Sequence, residues 1–162
     1  MLVDFNQLPG TSRIWIYQSD TKFSEDQIQI ITSSLEQFLV QWIAHGQDLK
    51  AGFEVKYNRF IIIALDQNVT AASGCSIDAQ VRFIQQLQSQ FEVDLLDKMN
   101  VTYYQNDRIH YKTLADFKQM AKDGAIGKKT VVFNNLVTNL QEYQEHWEVP
   151  AIESWHSRFL KK

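Results

Sequence analysis

The chain has one cysteine, Cys75, within the run Thr70-Ala71-Ala72-Ser73-Gly74-Cys75-Ser76-Ile77-Asp78. A thiol acts as a nucleophile through its thiolate, and a helix N-terminus favours that form with unpaired amides and a positive dipole end. An amphipathic pattern starts at Ile77, so Cys75 stands at or just before a helix start. With Ser73 as N-cap the thiol sits at the second helical position, among free amides. With Ser76 as N-cap it lies just outside and gains little. Asp78 opposes a thiolate in either case. A nucleophile also wants a base, usually histidine. Spacing alone places none of His45, His110, His146 or His156 beside Cys75, although His156 in the terminal segment could fold back. The competing reading is a small structural thiol beside a Gly-Ser turn.

Two other chemistries use neighbouring residues. Asp20, Asp66 and Asp78 would make an acidic site for a cation such as Mg²⁺, which needs one or two carboxylates plus waters and phosphates. Aspartates at strand ends and in first helical turns are also ordinary turn and cap residues. Ser73, Gly74 and Ser76 could help helix N-termini hold an anion, although three nearby carboxylates oppose that.

These options require elements that bring the residues together. Residues 13–18, Arg-Ile-Trp-Ile-Tyr-Gln, read as a strand. Ser24 and Gln27 form a capping box for a helix with Ile28, Ile31, Leu35, Phe38, Leu39, Trp42 and Ile43 on one stripe. His45 falls in its last turn and Gly46 at its left-handed stop. Residues 53–66 read as a hairpin. A two-residue turn at Asn58-Arg59 pairs Tyr57 with Phe60, Val55 with Ile62 and Phe53 with Ala64. A second helix runs from about Ile77 to Phe91, with Asp78 and Arg82 spaced for an ion pair. A second hairpin spans 100–112 and turns at Asn106-Asp107. A two-residue turn there sets Thr102, Tyr104, Ile109 and Tyr111 on one face and Val101, Tyr103 and His110 on the other; a one-residue bulge would change the facing. A helix from Thr113 stops at Gly124, and 130–134 read as a strand. Thr138 and Gln141 offer a capping box for a helix ending near Trp147. Pro150 opens a short terminal helix with Ile152, Trp155 and Phe159 on one stripe.

The order β-α-β-β-α-β over the first two-thirds suggests an α+β, ferredoxin-like core, with an added hairpin and helix and a C-terminal helical segment. The expectation is a single domain over 1–162, with its core at about 10–112 and an extension at about 113–162. In that arrangement we expect the strands at 13–18 and 60–65 to be parallel neighbours. Their C-terminal ends would then bring Asp20, Asp66, Cys75 and Asp78 to one sheet edge.

The composition narrows the function. The net charge is −3 and charged residues make up 22% of the chain, so no basic face favours nucleic acid. The longest apolar run, Phe60 to Leu65, is too short to span a bilayer. The N-terminus lacks the basic and apolar regions of a signal peptide, and one cysteine fits a reducing compartment, so the expected location is cytoplasmic. Gly124-Ala-Ile-Gly127-Lys128-Lys129-Thr130 is not a phosphate loop. Two residues separate its glycines instead of four, and Lys129 interrupts the Lys-Thr pair. No Gly-X-Ser-X-Gly elbow is present. Which cofactor, if any, the chain takes is unknown from the sequence, and a small-molecule or protein partner is open.

The segments Trp15-Ile16-Tyr17-Gln18, Ala44-His45-Gly46, Tyr57-Asn58-Arg59-Phe60-Ile61, Gly74-Cys75-Ser76-Ile77-Asp78 and Trp155-His156-Ser157-Arg158-Phe159 together resemble a group of small bacterial proteins of about this length. That group has no established function, and some members carry the label "ABC transporter ATPase". The missing phosphate loop and the run Ala72-Ser73-Gly74-Cys75-Ser76, unlike a Leu-Ser-Gly-Gly-Gln signature, give that label no support. The resemblance implies a shared fold over nearly the whole chain and transfers no site. The expected function is a non-catalytic or ligand-binding domain; the alternative is a thiol-dependent enzyme or redox-responsive protein using Cys75.

Overall fold

The computed structural model describes residues 1–161 and is mixed α and β. The chain forms two compact units, one of residues 1–96 with 138–141, the other of residues 97–137 with the segment from Glu142 onward.

The first unit holds β1 (Arg13–Gln18), α1 (Glu25–Val40), β2 (Ile43–Ala44), β3 (Gln47–Asp48), β4 (Ala51–Lys56), β5 (Phe60–Leu65) and α2 (Gly74–Phe91). Its main sheet has the order β1-β5-β4. All six residues of β5 are fully buried, as expected of a central strand with two covered faces. Trp15, Tyr17, Ile61, Ile63 and Leu65 pack with Ile31, Leu35 and Leu39 of α1 and Ile84 and Leu87 of α2. Both helices therefore cover the same sheet face.

The pairing of β1 with β5 is antiparallel, Arg13 opposite Leu65 and Gln18 opposite Phe60. This corrects the expected parallel pairing. A β-α-β crossover makes β1 and β4 co-directional; β5, joined to β4 by a hairpin and lying between them, must run against both. The strand β6 is not a fourth member of this sheet. The place beside β1 is taken by 138–141: Ile14 N donates to Thr138 O at 2.9 Å, Leu140 N donates to Ser12 O at 2.9 Å, and Arg13 bridges to Asn139.

Two local expectations shift. The first hairpin pairs Lys56 with Phe60, Val55 with Ile61 and Phe53 with Ile63. Tyr57 and Asn58 both take positive φ (55° and 56°) and Arg59 N bonds Lys56 O at 3.1 Å. The tight turn is thus Tyr57-Asn58, with Arg59 as one extra residue. That single-residue slip exchanges the faces, so Phe53 and Val55 join the helix-covered core. Helix α1 stops at Val40, earlier than its apolar stripe suggests. His45 (φ 52°) and Gly46 (φ 77°) form a two-residue turn between β2 and β3, the positive-φ pair that tight hairpins favour. Ile43 is consequently exposed.

The second unit holds β6 (Val101–Gln105), β7 (Arg108–Lys112), α3 (Leu114–Lys122), β8 (Val131–Phe133) and β9 (Glu148–Pro150), with most of α4 (Leu140–His146). Its sheet order is β7-β6-β8-β9. The Asn106-Asp107 turn pairs Tyr103 with His110 and Tyr104 with Ile109, the register read from the sequence. Val101, Tyr103, Phe117, Ala121, Val132 and Val149 form its core. After Pro150 the chain makes two short 3₁₀ turns, Ala151–Glu153 and Trp155–Phe159. Trp155 and Phe159 pack on this core, whereas Ile152 points out at 49% exposure.

One glycine is constrained by close approach. A Cβ on Gly52 would lie 2.8 Å from Val3 O and 3.1 Å from Phe5 Cα, where the N-terminal segment bridges the start of β4. Backbone cannot yield as a flexible side chain would. Gly52→Ala is expected to cost about 1–3 kcal/mol, read as a lowered urea midpoint with an unchanged slope, while Gly74→Ala, whose Cβ meets nothing within 4 Å, gives a much smaller shift.

Candidate functional site

The antiparallel β1–β5 pairing puts the two strand ends at opposite edges of the sheet, and the expected acidic cluster dissolves. Asp20 follows β1; its Oδ1 accepts from Asp94 N at 2.9 Å, while its carbonyl and that of Ser19 accept from Arg59 Nη1 at 3.1 and 3.2 Å. Asp66 follows β5; its Oδ1 accepts from Asn68 N at 3.0 Å and Lys50 Nζ lies 3.9 Å from Oδ2. Asp78 is exposed on α2 and forms no ion pair with Arg82, an outcome in keeping with the small worth of exposed pairs. Among the described residues no three Asp, Glu, His or Cys side chains form a metal-binding group.

The serines around Cys75 are engaged in building the helix. Ser73 is the N-cap of α2. Its Oγ accepts from Ser76 N at 3.1 Å, and Ser76 Oγ accepts from Ser73 N at 2.8 Å. This reciprocal box settles the choice of cap and places Cys75 at the second helical position, with an exposed side chain. Gly74 precedes it and is exposed.

The end of α1 is tied to this helix start. Trp42 is buried, and its Nε1–H donates to Ser76 O at 2.8 Å. Its ring meets Trp15 edge-on at 5.9 Å and Phe38 at 5.7 Å. Beside it opens a cavity of about 460 Å³, lined by Phe38, Trp42, Ile43 and His45 on one side and by Ser73, Cys75, Ser76 and Ala79 on the other, with Gln41. The histidine sharing a cavity with Cys75 is therefore His45, carried there by the β2–β3 turn. The helical stripe marks Phe38 and Trp42 as apolar positions, which by itself implies only core. His-Gly, a dipeptide suited to two positive φ angles, was the available signal for the turn.

His156 has a different setting, within the second unit. It is 1% exposed, stacks on Trp155 at 4.0 Å and meets Phe117 edge-on at 5.6 Å. Nδ1 lies 2.6 Å from Ser154 Oγ, and Nε2 is buried with no hydrogen-bond partner among the described residues. Burial lowers its pKa from 6.5 to about 4. Another polar group the periodicity did not reveal is Gln80, fully buried on α2, whose Oε1 accepts from Tyr17 OH at 2.5 Å.

No family model, curated protein or solved structure matches the chain. No helix among the described residues is long and apolar enough to cross a membrane.

Two consequences can be measured. Trp42→Phe keeps most of the ring packing and deletes the bond to Ser76 O, for an expected loss of roughly 1–2 kcal/mol in urea unfolding. For His156, the unfolded chain takes up a proton near pH 6.5 while the folded chain resists until about 4. The neutral imidazole's contribution is therefore complete above pH 6.5 and is lost as pH falls towards 4, about 3 kcal/mol in all. His156→Gln should flatten the fall in stability between pH 7 and 5; an unchanged slope would show that other groups cause it.

Proposed function

We propose that the first unit is a ligand-binding module whose site is the cavity between the end of α1, the β2–β3 turn and the start of α2. The observation that carries this reading is the wall itself. Phe38, Trp42, Ile43 and Ala79 present apolar surface, while Gln41, His45 and Cys75 stand beside them with polar atoms. An apolar cavity with a few convergent polar groups is the usual form of a small-molecule site. The ferredoxin-like reading is retained for β1 to α2, where strand order and direction are compatible with it.

A second reading has its own support. Cys75 is exposed among first-turn amides and shares the cavity with His45, so the thiol could act directly on a bound molecule.

An NMR titration with indole tests the binding reading. Shift changes are expected at Phe38, Trp42 and Ala79 and saturate with one site; changes scattered over the surface, or none, would sink it. The thiol reading is tested by the rate of Cys75 alkylation against pH, followed by intact mass. Rapid alkylation near pH 6 that slows in His45→Ala supports it. A rate that follows the ordinary thiol range and ignores His45 removes it.

A further inference from the structure

We infer that the molecule taken by this site is a free anionic amphiphile, a medium-chain or arylalkyl carboxylate, with its headgroup on Arg82 and its apolar body along Phe38 towards Trp42. This rests on the ligand-binding reading above and adds the chemical class. A second cavity, of about 360 Å³, adjoins the first and shares Phe38, Gln41 and Ala79 with it. Phe83 extends the apolar surface, with its ring 4.7 Å from that of Phe38 and tilted by 31°. The two cavities together follow the groove between α1 and α2. From Cys75 to Arg82 the helix advances about 10 Å, a length suited to an extended chain rather than a compact ring.

Charge selects the headgroup. Neither cavity is lined by an aspartate, a glutamate or a lysine, and Arg82 stands at the second. Its side chain is exposed and, among the described residues, forms no ion pair, even with Asp78 one turn away. A planar fork of donors without a carboxylate matches an incoming carboxylate in two-pronged geometry. The side-chain amides of Gln37, Gln41 and Gln86 line the same stretch and can donate to the second oxygen. A single cation balances the single charge of a carboxylate.

The test is an NMR titration of the full chain with decanoate and, in parallel, with decanol, each kept below its aggregation limit. Wild type and Arg82→Gln are compared, the substitution being on an exposed helix face. Decanoate should shift Phe38, Ala79 and Arg82, and Arg82→Gln should weaken it about tenfold while leaving decanol unchanged. Equal binding of decanoate and decanol, or an Arg82→Gln variant that binds decanoate as well as wild type, overturns the headgroup assignment and leaves the apolar cavity standing. No shift in the groove with either compound, together with no response to indole, overturns both. Binding to vesicles of anionic phospholipid without a response to free decanoate also overturns the inference, because it assigns the surface to a bilayer.

Discussion

Strand β5 constrains the rest of the first unit. Its six residues, Phe60 to Leu65, are fully buried on both faces and hydrogen-bonded on both edges. A strand so placed leaves its neighbours little freedom. Burying Ile61, Ile63 and Leu65 requires both helices on one face, and the hairpin to β4 sets the direction in which β5 runs. That direction opposes β1. The ends of β1 and β5 are therefore separated by the length of the strand, about 17 Å for six residues. Polar loops that look equivalent in the sequence, Gln18-Ser19-Asp20 and Asp66-Gln67-Asn68, close opposite ends of the sheet and tie down different neighbours.

The cavity follows from how the two helices end and begin. Helix α1 stops at Val40, before its apolar stripe is exhausted, and His45 and Gly46 take positive φ in the tight turn that follows. Trp42 then leaves the helix and turns inward, where its indole N–H reaches the carbonyl of Ser76. This bond joins the α1 exit to the α2 entry and leaves Phe38, Ile43 and His45 facing Cys75 across a gap. The serines on either side of Cys75 are occupied by each other. What remains for a ligand is one thiol, one imidazole, amide side chains and aromatic surface, with Arg82 farther along.

Several elements were legible because their signals are local. The Ser24–Gln27 capping box, the Asn106-Asp107 turn and its register, and the Thr113 start and Gly124 stop of α3 all depend on residues within a few positions of one another. The first hairpin differs from its sequence pattern by one residue. Asn58 is a recognisable turn residue, but the positive φ of Tyr57 carries no sequence mark, and an aromatic residue rarely adopts it. Gln80 and His156 were equally opaque. Their burial follows from distant packing partners, and only one of each ring or amide's polar atoms finds a partner close by.

The sequence by itself determined the α+β character, most helix and strand positions, and the absence of a phosphate loop, since periodicity, capping and motif spacing act over short stretches of chain. It also singled out the Ser73 to Asp78 segment as a strand-to-helix junction of interest. Tertiary structure alone decided what that junction faces. Strand direction is a property of pairing between distant segments, and side-chain neighbours across a cavity depend on which helix face the sheet captures. Both are set by burial of β5, so Asp20 and Asp66 moved out of the site while Trp42, His45 and Arg82 came to border it.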